Sequence, residues 1–205
     1  FSGYDGVIIQ GAASDWKYLY LHDGTAELRD ARHLVGLGIW ETEDAIKKEL
    51  GFAERAMSVF GIGPAGENLV KFAAISGDKD HTAGHNGTGA VLGSKKLKAI
   101  AAARGRSAVS VNDRPGVSKK AEEIWEAVHE EPLARWIFEW GTGGSYERAQ
   151  VRTQVGTLPI KNYTTNLYPD SANRSMTSQY IRERWSAKRD PCWACLQHHC
   201  HMITF

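Results

Sequence analysis

Cys192-Trp193-Ala194-Cys195-Leu196-Gln197-His198-His199-Cys200-His201 gathers all three cysteines of a 205-residue chain into one short run, interleaved with three histidines. A Cys-x2-Cys step turns two sulfurs toward one centre, and Cys200 supplies a third from the following turn. Thiolates at this spacing hold iron–sulfur clusters or zinc. A cubane cluster ordinarily takes four thiolates, so its fourth ligand would come from elsewhere. Zinc would complete its set with His198, His199 or His201. Spacing leaves these two readings level, with unliganded reduced cysteines as a third. The histidines serve equally well as hydrogen-bond donors beside the ligands, or as exposed side chains. An odd number of cysteines crowded together suits a reducing compartment better than a disulfide framework.

The second chemical stretch is Lys79 to Ile100, in which Gly84, Gly87, Gly89 and Gly93 fall close together ahead of Lys95 and Lys96. Glycine at this density brings backbone N–H groups near a ligand and reaches positive φ without strain. A helical turn over Thr88 to Ser94 would add amide dipoles suited to phosphate. The stretch is neither Gly-x-Gly-x-x-Gly nor a Walker loop, and a tight strand–turn–helix corner that binds nothing explains the glycines as well.

The elements that must position these residues divide into two styles. Val7 to Gln10 reads as a short strand. Trp16 to His22 and Ala26 to Arg29 read as a hairpin closed by Asp23-Gly24 in a type I′ turn. Thr42 is the expected N-cap of a helix that ends at Gly51. Ala56 to Ile62 and Leu69 to Ile75 read as strands around a Gly63–Gly66 turn, and Leu97 to Ala103 as a buried strand. Ser107 to Gly116 carries Asn-Asp-Arg-Pro-Gly, an inter-domain connection. Helices follow at Val117 to Glu131, closed by Pro132, then at Leu133 to Trp140, Ser145 to Val155 and Ser178 to Ala187, with a loop over Gly156 to Tyr163. The expected fold is α+β, with a β-rich domain over residues 1–108 and the start of a mainly helical domain over 109–205.

Apolar residues make up 42% of the chain, enough for one large core or two small ones. Its 25 basic and 24 acidic side chains nearly cancel, which argues against nucleic acid or an anionic membrane as partner. No apolar run approaches membrane-spanning length. Both termini break off abruptly, so the sequence reads as a segment of a longer protein.

Three stretches converge on one family. Gly61-Ile62-Gly63-Pro64-Ala65-Gly66-Glu67-Asn68-Leu69-Val70-Lys71-Phe72-Ala73 resembles the G-P-A-G-E-N-x-V-x-F-A run of the aldehyde ferredoxin oxidoreductase family of tungsten enzymes. Ala83-Gly84 through Gly89-Ala90-Val91-Leu92-Gly93-Ser94-Lys95-Lys96-Leu97-Lys98-Ala99-Ile100 is similar to that family's pterin-contacting loop and strand. Gly156-Thr157-Leu158-Pro159-Ile160-Lys161-Asn162-Tyr163 is similar to its G-T-L-P-x-x-N loop, and Phe1-Ser2-Gly3-Tyr4-Asp5 to its F-A-G-Y-D segment.

The resemblance implies an oxidoreductase. Its N-terminal domain would seat a tungsten bis-pterin (tungstopterin), with magnesium bridging the pterin phosphates and a [4Fe-4S] cluster beside them. By the same resemblance Thr82, Ala83, Gly84 and His85 hold the pterin-phosphate and magnesium contact positions, Ala83 through its carbonyl. Cys192, Cys195 and Cys200 would be three of the four cluster ligands, which selects the cluster over zinc. The implied substrate is a carbonyl compound, either an aldehyde oxidised to a carboxylate or an aromatic acyl-CoA thioester such as benzoyl-CoA that is reduced. The implied electron partner is ferredoxin or an iron–sulfur subunit, in a homo- or hetero-oligomer of the anaerobic cytoplasm. No histidine can be assigned a catalytic role.

Two departures point to a divergent branch. Thr82 and His85 stand where the family often has arginines, as in R-A-G-R-G-G, which removes two permanent charges and their bidentate donors. The second cysteine gap holds four residues where the family pattern has three. The tungsten subunit of class II benzoyl-CoA reductase is one such branch, and the Ala83–Gly89 variant favours a relative of it. The rival readings are a zinc-stabilised interaction module without redox activity, and a cofactor-free scaffold paralogue.

Overall fold

Alternation of side chains along one central strand explains most of the first half. In Lys17–His22 (β1), Tyr18 and Tyr20 enter one hydrophobic core, and Leu19 and Leu21 enter another on the opposite face. The computed structural model describes residues 2–79, 81–106, 108–144, 161–165, 175, 177–192, 195 and 197–204. The chain divides into two compact units, Phe1–Ser110 and Val111–Phe205.

The first unit is a six-stranded mixed sheet in the order β2-β1-β6-β3-β4-β5. Its strands are β1, Thr25–Asp30 (β2), Met57–Gly61 (β3), Ile75–Gly77 (β4), His81–Ala83 (β5) and Leu97–Ala103 (β6). The β1–β6 pair is parallel and the other pairs antiparallel. The predicted hairpin is present, with Asp23 at φ 42° and Gly24 at φ 76° as a primed turn requires. Helix Ile39–Leu50 (α1) lays Ile46 on the face formed by Tyr18, Tyr20, Met57, Val59, Ala99 and Ala101. The helix Thr88–Ser94 (α3) brings Leu92 to the other face, against Leu19, Leu21, Ile62 and Leu97. The architecture is α+β.

Several predicted elements are corrected. Thr42 is not the N-cap of α1. The helix starts at Ile39 behind Gly38, and the buried Thr42 hydroxyl donates back to the Gly38 carbonyl at 2.7 Å. The helix does end at a left-handed Gly51, φ 73°. Val7 to Gln10 is not a strand. The Gly63–Gly66 turn is a short helix, Pro64–Glu67 (α2), with proline in its first turn. Leu69 to Ile75 is a coiled loop up to Ala74, with Leu69 at φ 58° and Phe72 83% exposed. Its backbone is used locally: Val70 N–H donates to Ala65 and Ala73 N–H to Val70, both at 2.9 Å.

The second unit begins with Arg114–Glu130 (α4), three residues earlier than predicted because the Asp113 carboxylate caps Gly116 N–H at 2.9 Å. Pro132 closes this helix as expected, with Glu131 extended before it (φ −71°, ψ 123°). It also opens the next, Pro132–Trp140 (α5), whose cap is the Glu131 carboxylate on Ala134 N–H at 2.7 Å. The predicted helix over Ser178 to Ala187 stops at Arg184 (Ser178–Arg184, α6), and Ser186–Arg189 (β7) then pairs antiparallel with His201–Thr204 (β8). The predicted Ser145–Val155 helix lies outside the described residues, as does most of the Gly156–Tyr163 loop. No helix among the described residues is long and apolar enough to cross a membrane.

Candidate functional site

Strand β5 carries Thr82 and Ala83 along the edge of the sheet, where Ser76 pairs with Thr82 and Ile75 with Ala83. Thr82 Oγ1 lies 2.9 Å from Ser76 Oγ, and the Ala83 carbonyl accepts from the Thr88 hydroxyl at 3.2 Å. Thr82, Ala83, Gly84, His85 and Asn86 are all exposed. The four predicted contact residues therefore form one continuous rim that runs from the edge strand into a tight turn. Right-handed Gly84 is followed by left-handed Asn86 (φ 66°) and Gly87 (φ 65°). Such a succession turns consecutive N–H groups toward one side, the geometry of an anion-binding nest.

The glycines divide by task. A Cβ on Gly87 would stand 2.0 Å from the Lys71 carbonyl oxygen, at a φ that already disfavours a side chain. Gly89 and Gly93 are equally closed, against Ala74 O and Gly66 O. These three let α3 seat on α2 and on the loop that follows it. Gly84 alone of the four faces open space, with only Thr82 Cγ2 nearby at 3.6 Å. The backbone freedom read from the sequence is thus spent on packing at three positions and left unfilled at one. The two lysines after the turn are tied down as well. Lys95 Nζ donates to Gly11 O at 3.1 Å and Lys96 Nζ to Ser14 O at 2.6 Å.

The rim is held by residues that the motifs did not single out. Asp78 (φ 45°) and Lys79 (φ 65°) make a left-handed corner before β5. The Asp78 carboxylate fixes it to β3, accepting from Ser58 Oγ at 2.6 Å and Val59 N–H at 3.0 Å. Fully buried Glu43 accepts from Lys79 N–H at 3.0 Å and from Lys47 Nζ at 2.6 Å. Burial works against the Lys47 charge, but Glu43 and Glu54 outweigh it and raise its pKa. Trp40 Nε1 donates to the Lys79 carbonyl, and Lys79 Nζ pairs with Asp44. Behind the rim, buried Lys98 pairs with Glu67. A lone lysine inside the apolar run Leu97–Ala103 was the one sequence signal for that pair.

In the second unit the cysteine stretch is the loop that closes β7 on β8. Asp190 N–H donates to Cys200 O at 3.0 Å at its neck, and Cys195 N–H donates to Cys192 O at 2.9 Å. Cys192 is exposed, and Cys195 and Cys200 are half-buried. Burial pushes the Cys200 thiol up, reinforced by charge on Cys192, Cys195 and Asp190. Among the described residues, no three Cys, His, Asp or Glu side chains already converge as a ligand set. His201 is engaged elsewhere: Arg182 Nη2 approaches its Nε2 at 3.0 Å, and burial together with Arg182 and Arg189 lowers its pKa. His199 Nε2 lies 3.9 Å from Cys200 Sγ, and its Nδ1 is buried with no hydrogen-bond partner among the described residues. Three thiols between β7 and β8 match the donor types of an iron–sulfur cluster, although their side chains are not gathered to one centre in this structure. The exposed nest with its open Gly84 matches a phosphate-bearing group.

The family model for the aldehyde ferredoxin oxidoreductase N-terminal domain matches residues 1–104. The tungsten-containing aldehyde ferredoxin oxidoreductases of Pyrococcus furiosus and Thermococcus kodakarensis are each 36% identical to the chain over 202 residues, covering 95% of it and 31% of the relative. The WOR-like subunit of aliphatic sulfonate oxidoreductase from Pyrococcus furiosus is 34% identical over 200 residues, covering 90% of the chain and 31% of that subunit. The chain thus spans about a third of the length of the curated relatives it matches, 31% in each case. Among solved structures, the active-site complex BamBC of benzoyl coenzyme A reductase with 1,5-dienoyl-CoA is similar in fold. Its TM-score is 0.69 at 23% identity, covering 96% of this chain and 30% of that one.

Proposed function

The chain belongs to the aldehyde ferredoxin oxidoreductase family, and from that premise we propose that it forms the pterin-seating and cluster-binding part of a tungsten oxidoreductase. The observation that carries this reading is the rim at Thr82–His85, where the one open glycine of the loop, Gly84, meets a nest of backbone amides. Thr82, Ala83, Gly84 and His85 would hold the phosphates and magnesium of the tungstopterin, and Cys192, Cys195 and Cys200 would hold three corners of a [4Fe-4S] cluster. When bound, the tungsten supplies two-electron chemistry and the cluster single-electron transfer.

The chain's own share is binding and orientation. With arginine replaced at Thr82 and His85, phosphate would be held mainly by backbone N–H groups. Ala83 O has a second lone pair left for magnesium beside its bond from Thr88. The Glu43–Lys79 and Asp78–Val59 bonds fix the height of β5, and with it the rim.

The proposed substrate is a carbonyl compound, either an aldehyde or an aromatic acyl-CoA thioester. Overall identity does not separate substrates, because relatives at 36% and 34% carry different activities in their names. The proposed electron partner is ferredoxin or an iron–sulfur subunit, in a cytoplasmic assembly.

Elemental analysis of the intact, anaerobically purified protein tests the reading. About four iron atoms and one tungsten per chain are expected. Zinc alone would overturn it in favour of a non-redox binding module, and no metal at all would leave a scaffold relative.

A further inference from the structure

We propose that Asn86 is a modification site: its side-chain amide cyclises onto Gly87 and hydrolyses to a carboxylate, which closes the rim to anions. The site stands on the Asn-Gly pair itself, and its consequence rests on the phosphate reading given above. Asn86 is the only asparagine of the chain that a glycine follows. It is exposed, and among the described residues no hydrogen bond restrains its amide. Glycine has no Cβ to shield its own nitrogen, so this pair offers the least hindered route to the ring.

The step balances with water as its one co-reactant. A solvent base takes the Gly87 amide proton, and that nitrogen attacks Asn86 Cγ. A new N–C bond closes a succinimide, the Cγ–Nδ2 bond breaks, and ammonia leaves. Water then opens the ring at either carbonyl. One opening gives aspartate, and the other gives isoaspartate, with the chain rerouted through the side chain. The turn follows a three-residue strand at the edge of the sheet, where local opening is easiest. Asn68 lacks these features: its Nδ2 donates to Pro64 O at 2.8 Å, and Leu69 follows it.

The backbone explains why a reactive residue stands here. Asn86 is left-handed, φ 66°, at the place where the R-A-G-R-G-G pattern has a glycine. Asparagine is among the side chains best tolerated in that conformation. Either product puts a negative charge among the N–H groups of the Gly84–Gly87 nest, where it repels phosphate and competes for its donors. Isoaspartate also lengthens the chain ahead of Gly87, which has no room to move toward the Lys71 carbonyl.

The test is peptide mapping by mass spectrometry of the intact protein, purified with and without tungsten and incubated anaerobically at mildly alkaline pH. In tungsten-free protein the Asn86 peptide should convert to the acid several-fold faster than those of Asn68 and Asn112, with isoaspartate among the products. An Asn86 that converts no faster than those two overturns the proposal. Tungsten-loaded protein should convert several-fold more slowly, because bound phosphate fills the turn. Equal rates in the two states would overturn the phosphate reading of the rim and leave the modification site standing. The consequence is read on Asn86→Asp, which should hold a small fraction of the wild-type tungsten with an unchanged thermal melt. Wild-type tungsten in that variant overturns closure of the rim by charge. Should the variant melt early, ion exchange of aged wild-type protein separates converted from unconverted chains. Lower tungstopterin uptake by the converted chains supports closure, and equal uptake overturns it.

Discussion

Lys98 and Glu67 form an ion pair sealed from solvent, with the lysine side chain fully buried and the glutamate side chain 8% exposed. The pair joins three elements. Lys98 on β6 also donates to Leu37 O at 2.9 Å, and the Glu67 carboxylate at the end of α2 accepts from Gly36 N–H at 2.9 and 3.1 Å. Every polar group in this small network has a partner, which is what makes burial of two charges tolerable.

Breaking one side of the pair leaves the other charge uncompensated. Glu67→Leu is expected to cost about 3–5 kcal/mol of stability. Lys98→Met with Glu67→Leu should recover part of that loss, because two apolar groups need no partner. Urea unfolding of both variants measures the difference. A double variant no better than the single would show that the Gly36 contact, and not the ion pair, carries the cost.

The glycines of the rim give a clean contrast. Gly84→Val should change stability by no more than about 0.5 kcal/mol, since the added atoms meet open space. It should nonetheless abolish tungstopterin incorporation while iron stays near wild type. Gly87→Ala should cost roughly 2–5 kcal/mol, from the left-handed penalty plus overpacking against Lys71 O. Tungsten and iron analysis beside a thermal melt separates the two, and equal loss of both metals in Gly84→Val would mean that the substitution unfolds the domain.

The cysteine loop should behave in the opposite sense. Cys200→Ser and Cys195→Ser are expected to lower iron to a small fraction of wild type while tungsten is largely retained. Anaerobic metal analysis reads the outcome, and full iron in both variants would exclude these cysteines as ligands.

Acid should loosen the clasp between α1 and the 54–56 turn. The hydrogen bond from Lys47 lowers the Glu54 pKa below its ordinary 4.5. Its stabilisation is therefore present above that value and is lost as pH falls through the lower folded value. Glu54 is 57% exposed, so the effect is at most about 1 kcal/mol. The raised Lys47 pKa acts on the other limb, with stabilisation held below 10.5 and lost as pH rises through the higher folded value. Melting temperatures of wild type and Glu54→Gln, compared from neutral pH to well below the ordinary 4.5, should converge only once pH has fallen through the lower folded value. A constant gap would remove the carboxylate charge from the explanation.

Much of the sheet was legible where one local signal sufficed. The β1–β2 hairpin follows from an Asp-Gly turn between alternating runs, and β6 runs from Leu97 to Ala103 as its apolar pattern requires. Where two uses of apolar residues compete, the sequence misleads. Leu69 to Ala74 reads as a strand, yet Gly89 N–H takes the Ala73 carbonyl and the run becomes the seat of α3. The three-residue, mostly polar β5 has no periodicity to find, although it carries two of the predicted contact residues. Residue types placed Cys192, Cys195 and Cys200 on one loop. Its closure by β7 and β8 depends on long-range pairing that no local pattern encodes. Glu43 and Lys47 stand four apart and read as helix surface charges. Only the fold buries them beneath the Lys79 corner.

Strand β1 finds its parallel partner in β6, the last strand of the sheet, with nearly the whole unit threaded between Lys17 and Leu97. The centre of the sheet cannot close until β6 has been synthesised and has emerged. Until then the hairpin β1–β2 offers one open, apolar edge. Such non-local pairing slows folding and lengthens exposure to misassociation. The order of synthesis therefore makes β6 the closing event for this half of the molecule, and a chain that stops short of Leu97 leaves β1 paired with β2 alone and its other edge open.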